Sequence, residues 1–419
     1  MVEQITVGTA VNYSYTQKLM AAMSGDNVTG RSYTSAYPDR YFKEGAEATK
    51  WGYNFAEQWN YALEADPQVV FVTGWNEFRV DRNKVWPEGW ETETPNAFPD
   101  QYIDEFSRDI EPTKGALKDH YYYQLVNFVR QYKGCNPIPT PSEKTTIDLA
   151  AGQEQWKSVE PYFGAYIGNT ENRDHTGYGS LVYTETSGRN DIIGAQVARD
   201  DEYVYFNVEC ADNITPYTDN LWMTLYIDSD QQNQGWETFE YVINKSAASA
   251  DTVVLEKFTG NGYESTKVAD CAYVLDGRYL TIKVAKADLG LAGDDYTINF
   301  SWTDNVHDEG DYDKFSGDIM DFYISGDVAP GARFKYSYVS GTPAAEDTTA
   351  GETTAPTETE PADTTDTDSV GSNSSTESNF ESTESTESTE KTGCKAMAAA
   401  AVALTTAAAA AIMIKKKKD

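Results

Sequence analysis

The sequence predicts a multidomain protein: a partial α/β unit, an all-β antiparallel sandwich, a disordered stalk and one transmembrane helix. Three observations predict it. Over residues 1–134, apolar strand-like runs alternate with helical periodicity; over 142–340, short alternating strands recur between Gly, Asp and Asn turns. From 341 onward, a Thr/Ser/Glu-rich tract gives way to an uncharged alanine-rich run closed by lysines. The first pattern suits a parallel sheet with crossover helices, the second an antiparallel sheet, and the third a stalk with an anchor.

Taken in order, Ile5 to Asn12 forms the first strand. Asn54 to Asp66 forms a helix with Phe55, Trp59, Ala62 and Leu63 on one face, and Asp66-Pro67 ends it. Val69 to Thr73 is the next strand. Lys118 to Tyr132 is a closing helix, with Tyr122, Leu125, Val126 and Val129 at helical spacing. A Pro-rich linker, 135–141, follows, with Pro137, Pro139 and Pro141 stiffening it. In the second region Ile192 to Ala211 is a hairpin turning at Arg199-Asp200-Asp201. Further strands are Leu221 to Ile227, Phe239 to Ile243, Thr252 to Lys257, Tyr279 to Val284, Tyr296 to Trp302 and Arg333 to Val339.

Residues 341–393, with the repeat STESTESTE between Glu381 and Glu390, hold too little apolar surface to offset ordering entropy and are expected to be disordered. Within 394–419, the uncharged run Ala396 to Ile414 would, as a helix, span nearly the ~30 Å hydrocarbon core. Lys415 to Lys418 then lie in the cytoplasm and the bulk of the chain outside the cell. At the other end, MVEQITVGTAV shows no basic stretch followed by an apolar one, so no signal peptide is visible. A start further upstream, or a broken frame, would explain that together with a short first unit.

The net charge of -34 argues against nucleic acid and against adhesion to anionic lipid, both of which need a basic footprint. Aromatics reach 13 %, with 29 Tyr and 9 Trp, which suits β-rich folds and carbohydrate surfaces alike. Cys135, Cys210, Cys271 and Cys394 lack CxxC spacing, so zinc and thioredoxin-like chemistry are not indicated.

Chemistry concentrates at the end of one strand. Val69 to Thr73 runs into Gly74-Trp75-Asn76-Glu77, which would set a carboxylate, an amide and an indole at a strand's carboxyl end. The alternative is a capped strand whose polar residues meet solvent. The run Asn54 to Phe78, with Asp104 to Gly115 and Asp119 to Gly134, resembles the C-terminal part of secreted (β/α)8 proteins of the glycoside hydrolase 71/99-like group. That resemblance implies the C-terminal part of a TIM barrel, Glu77 as a catalytic carboxylate, and Trp75, Asn76, Arg31 and Tyr33 lining the cleft. Its departures are Val80, where the endo-mannosidase relatives place a second Glu, and Phe78 for their Trp. The acid pair is therefore incomplete, and a whole barrel takes ~250 residues.

In the second region Trp156 to Tyr166, Gly188 to Glu209, Trp222 to Asp230 and Gly235 to Lys245 resemble carbohydrate-binding modules of the family 9 type. This implies a β-sandwich that binds sugars through aromatic side chains and carries structural calcium. By residue chemistry, the candidates are Trp236 and Trp302 as flat platforms, with Arg189, Asn190, Asp304 and Asn305 reading hydroxyls. Core packing is the alternative for either Trp, and Trp222, inside an apolar strand, is assigned to the core. Asp228, Asp230, Asn233 and Glu237 could begin an oxygen shell for calcium; their spacing is not that of an EF-hand, and a solvated acidic turn is the alternative. The expected function is a membrane-anchored, cell-surface carbohydrate-binding protein derived from a modular glycoside hydrolase, with a polysaccharide or glycan as partner. The alternatives are an N-terminally incomplete surface glycosidase and a non-catalytic, protein-binding adhesin.

Overall fold

The computed structural model describes residues 2–14, 19–20, 23, 28–76, 103–170, 173–176, 182–217, 219–230, 232–246, 248–341 and 412–415. These belong to one compact unit; a second, 347–409, lies outside the described residues.

The N-terminal region holds β1 (Gln4–Val7), β2 (Tyr13–Ser14), β3 (Leu19–Met20), α1 (Arg40–Glu44), α2 (Ala46–Trp51), α3 (Tyr53–Ala65), β4 (Val69–Val72) and α4 (His120–Lys133). Helix α3 starts after Gly52 and stops at Asp66, both left-handed; the Asp66 N–H donates to the Ala62 and Leu63 carbonyls. Phe55, Trp59 and Ala62, spaced four and three residues apart, are buried against Val7, Val70 and Val72. The α4 face is rotated from the expected one: Tyr121, Leu125, Phe128 and Tyr132 are buried, and Tyr122 turns outward. Trp59 stacks on Phe128 at 5.5 Å with rings 3° apart, a contact worth about 1 kcal/mol beyond its buried area.

The rest of the chain is antiparallel. It comprises β5 (Tyr162–Gly164), β6 (Arg173–Thr176), β7 (Val182–Glu185), β8 (Ile192–Arg199), β9 (Tyr203–Cys210), β10 (Thr224–Asp228), β11 (Tyr241–Ile243), β12 (Thr252–Phe258), β13 (Ser265–Asp276), β14 (Tyr279–Ala285), β15 (Thr297–Asp304), β16 (Asp327–Ala329) and β17 (Tyr336–Val339). Eleven strands form one sheet in the order β16-β15-β10-β11-β12-β13-β14-β9-β8-β5, with β17 also on β15. The sheet curls until β16 lies beside β8, where the Asp327 carboxylate accepts the Ile192 N–H at 2.6 Å. Val204, Phe206, Leu225, Ile227, Leu280, Ile282, Phe300 and Trp302 fill the enclosed core. Tyr226 and Val242 point the other way, into a second cluster with Trp236, Phe239, Phe258 and Phe322. Strand β10 is buried along its whole length because both its faces are covered, so its apolar run is unbroken. Arg199 clasps the ends of this region: its guanidinium donates to the Ser142 carbonyl (2.8 Å), the Tyr338 hydroxyl (2.7 Å) and the Ser340 carbonyl (2.7 Å).

Three expectations are corrected here. The N-terminal region is not the C-terminal part of a TIM barrel. β1 and β4 pair in parallel, but the other edge of β4 takes β18 (Ile412–Lys415) antiparallel, Ile412 opposite Val72. A barrel needs eight parallel strands with a helix after each; the described residues contain four α-helices, and the chain is mainly antiparallel sheet. Local strand–helix alternation is real, but it does not count strands. The second correction is that eleven strands of the antiparallel region form one curled sheet, with β6 and β7 a separate pair, in place of two stacked sheets. The third concerns the transmembrane helix and the plasma-membrane, cell-surface placement that rested on it. Among the described residues no helix is long and apolar enough to cross a membrane. The end of the expected span, Ile412-Met-Ile, is in β18, where isoleucines suit a pleated strand. The rest of that span, 396–411, and the expected stalk, 342–393, lie outside the described residues.

The α/β and antiparallel regions are joined through α4. Asp119, at its N-terminal end and with a fully buried side chain, accepts from Arg333 Nε (2.7 Å) and the Tyr323 hydroxyl (2.8 Å). The Tyr123 hydroxyl accepts the Arg333 N–H at 2.8 Å. Lys114 pairs with Glu309 and lies 3.5 Å from Asp321.

Candidate functional site

At the carboxyl end of β4 the chain bends at Gly74, whose φ of 76° belongs to the left-handed region. A Cβ there would collide with the Arg108 carbonyl oxygen, so glycine is required. The next residues are held by the segment running past them: Ile110 N–H donates to Gly74 O (3.0 Å) and Glu111 N–H to Trp75 O (2.9 Å). The half-exposed Trp75 meets the half-exposed Tyr122 of α4 edge-on, 5.9 Å between ring centres. Tyr122 continues to Tyr123 and Phe334, at 5.4 and 6.1 Å. Burial raises the Tyr122 phenol above its ordinary range. Beside this ledge Asn76 is exposed and hydrogen-bonds the half-buried Glu111, whose carboxyl burial raises against the opposing effect of that bond.

The structure thus brings together Trp75 and Asn76 with two residues that sequence reasoning missed: Glu111 and Tyr122. Tyr122 had been placed on the buried face of its helix, and Glu111 has no local signal. Glu77, the proposed catalytic carboxylate, lies outside the described residues. Arg31 does not line a cleft. It is 2 % exposed, donates to Ser107 O (3.0 Å) and Asp109 O (2.8 Å), and lies over the Tyr121 ring at 4.2 Å. It braces the segment that carries Glu111. Tyr33 is half-buried in a turn whose N–H reaches Gly30 O at 3.3 Å.

A second candidate is acidic. The β10–β11 register pairs Ile227 with Tyr241, so the next residues, Asp228 and Glu240, come face to face. With Asp230 they form a triad whose oxygens all lie within 4.8 Å of one another and could hold a metal ion. Two oxygens on opposite sides of a calcium ion at ~2.4 Å would be separated by about the same distance. Asp228 accepts from Asn299 Nδ2 (3.0 Å) and Lys335 Nζ (3.1 Å). Glu240 is 4 % exposed; its Oε2 accepts the Ser229 N–H at 2.7 Å, while its buried Oε1 has no hydrogen-bond partner among the described residues. A buried carboxylate oxygen without a partner, on a residue grouped with two further carboxylates, fits a hard cation. Burial first, then the charges of Asp228 and Asp230, push the Glu240 carboxyl up to about 7.

Of the metal ligands expected from sequence, Asp228 and Asp230 are in the triad and Asn233 and Glu237 are not. Asn233 is an exposed turn residue with φ 54°, and Glu237 pairs with Arg333 at 2.8 Å. Glu240 was missed because it lies beyond the acidic loop, although a charge between Phe239 and Tyr241 in a strand is itself unusual.

The expected sugar readers of the sheet do assemble, but on one another. Arg189 donates to Asp304 (Nε–Oδ2 2.7 Å) and to Asp219 (2.6 Å). Asp304 is fully buried, and burial holds its carboxyl above the ordinary range despite the guanidinium. Asn190 and Asn305 both sit at positive φ, 51° and 58°, a conformation asparagine tolerates. Asn190 engages Thr215 through donor and acceptor, and Asn305 donates to Glu185. These bonds tie the segment before β8 to the end of β15 and to the loop after β9, and the residue after β15 to β7. Trp236 and Trp302 are 3 % and 0 % exposed and belong to the two cores, with Trp236 Nε1 donating to Gly317 O at 3.0 Å. Core packing, the alternative reading, describes both.

The chain matches no protein-family model and no curated protein, so the site rests on its own geometry.

Proposed function

We propose that this chain is a carbohydrate-binding protein whose contact surface is the aromatic ledge at the end of β4, and whose Asp228–Asp230–Glu240 centre takes calcium as a structural ion. The ledge carries the reading: Trp75 and Tyr122 are half-exposed and meet edge-on, and the Asn76–Glu111 pair stands beside them. Sugars offer apolar C–H faces and a rim of hydroxyls. Rings stack on the former, and an amide with a carboxylate accepts from and donates to the latter.

Calcium is favoured over magnesium because three carboxylates on a loop and two strand ends form a large, irregular oxygen set, whereas magnesium demands near-octahedral geometry at a shorter distance. Bound there, the ion would tie the start of the 229–239 loop to its end. Isothermal titration of the full chain with a panel of oligosaccharides, in calcium, tests the proposal. Trp75→Ala and Tyr122→Ala are each expected to weaken the best ligand ~10-fold, equivalent to about 1.4 kcal/mol for a lost ring contact. No heat from any oligosaccharide, or unchanged affinity in both variants, would remove the reading.

A further inference from the structure

Three consecutive residues, just before β17, touch both the acidic triad and the aromatic ledge. Lys335 donates from Nζ to Asp228 Oδ2 (3.1 Å) and to the Thr238 carbonyl (2.9 Å), and its ammonium lies 3.9 Å from the centre of the Phe239 ring. Phe334 packs on Tyr123 (4.9 Å between ring centres) and on Tyr122 of the ledge (6.1 Å). Arg333 spans the two sides. Its guanidinium donates to Glu237 Oε2 (2.8 Å) and Asp119 Oδ2 (2.7 Å), and its N–H donates to the Tyr123 hydroxyl (2.8 Å). The loop after β10 therefore holds this segment at Glu237 and Thr238, while α4 holds it at Asp119, Tyr122 and Tyr123.

Fixing Glu237 and Thr238 is unfavourable in itself. Both have positive φ, 49° and 67°, in a region that β-branched residues such as threonine avoid most. Contacts at the loop's ends must maintain that backbone. Those ends are Asp228 and Glu240, two members of the triad. An ion between them fixes their separation and restrains Glu237 and Thr238, which lie three and two residues before Glu240. The same ion weakens the pull of Asp228 on Lys335, but the Thr238 carbonyl and the Phe239 ring retain the ammonium.

Resting on the calcium and ledge readings above, we propose that calcium at Asp228, Asp230 and Glu240 regulates the ledge by ordering residues 333–335, which hold Tyr122 in place. Order gained before a ligand arrives need not be gained on binding, so ledge affinity rises with calcium. By linkage, the ligand tightens calcium by the same factor.

Hydrogen-exchange mass spectrometry of the full chain, in calcium and in EDTA, follows the coupling without any sugar. Calcium should slow exchange ~5-fold or more in residues 232–240, 333–336 and 119–124. The double variant Glu237→Gln/Lys335→Met cuts both links and leaves the triad and ledge side chains intact. There the slowing should persist in 232–240 and vanish in 119–124; should it not fold, Glu237→Gln alone should at least halve the slowing in 119–124. Calorimetric titration of the best oligosaccharide should give a Kd lower by ~5-fold or more in calcium for wild type, and the same Kd in both buffers for the double variant. Slowing confined to 232–240, faster exchange of 119–124 in calcium, an effect undiminished in the variants, or one wild-type Kd in both buffers would overturn the coupling and leave the calcium and ledge readings in place. No slowing anywhere would remove the calcium reading as well. Slowing that reaches α4 with no oligosaccharide bound would uphold the coupling and remove the carbohydrate reading alone.

Discussion

Replacing Glu240 with glutamine distinguishes a cation centre from a solvated acidic turn. In the folded protein the carboxyl is held at about 7 against an ordinary 4.5. The unfolded chain gives its proton up near the lower value, so the folded state binds the proton more tightly. That advantage is complete below pH 4.5 and is lost as the pH rises through 7. From 4.5 to about 7, at 1.36 kcal/mol per pH unit, the loss reaches about 3 kcal/mol as a ceiling that local relaxation lowers. Glutamine does not ionise. In EDTA, Glu240→Gln should therefore melt above wild type at pH 8 and close to it at pH 5, by ~2–4 °C per kcal/mol in a domain of this size. Calcium at a thousandfold excess over Kd should reverse the order, because wild type then gains about 4.1 kcal/mol and the variant gains little. Asp321 and Asp327, held at about 6 and about 7 by burial, titrate in the same window but are common to both proteins and cancel in the difference. Calorimetric melts at the two pH values, with EDTA or calcium, make the comparison. A variant that melts below wild type at pH 8 in EDTA, or equal stabilisation of both by calcium, would refute the reasoning.

Arg333→Met should strand the buried Asp119 carboxylate at a cost of about 3 kcal/mol; hydrogen exchange should show α4 losing protection first, and uniform loss across the sheet would count against the join described here. Trp236→Ala should destabilise the sheet by about 3–5 kcal/mol while leaving oligosaccharide affinity of the folded fraction unchanged; selective loss of affinity would restore Trp236 as a platform. Burial pushes the Cys271 thiol up to about 12 and Cys210 higher still, whereas Cys135 is exposed. Mass spectrometry after brief native alkylation should find Cys135 modified and the other two protected.

Elements whose signal is local were legible in the sequence. The Val69–Val72 strand, the helix ending at Asp66-Pro67 and the hairpin turning at Asp200 stand within a residue or two of where periodicity puts them. What periodicity does not carry is how many strands a sheet has or how it closes, and there the barrel and the two-layer sandwich both failed. The aromatic candidates divide on the same ground. A tryptophan in a strand buried on both faces, such as Trp302, has the same chemistry as one on a ledge, and only the third dimension separates them. Asp228 and Asp230 were legible because they share a loop; Glu240 joins them across a strand pair, through a register that no spacing rule along the chain encodes. Glu111 reaches the ledge by a backbone pairing with Trp75 across 36 positions, equally silent in the sequence. In the last strand, isoleucine and lysine fit an anchor's end and an edge strand alike, and composition does not choose between them.

The clasp made by Arg199 has a mechanical consequence. One guanidinium grips Ser142, where the chain enters the antiparallel region, and Ser340, where it leaves. Tension applied through the two flanking segments would meet at that side chain before it reached the strands of the curled sheet. The region would then behave as a closed link, with force passing across its throat while the body hangs slack. Cutting the clasp with Arg199→Met would route the same pull into β17, whose four residue pairs with β15 would be the first to part.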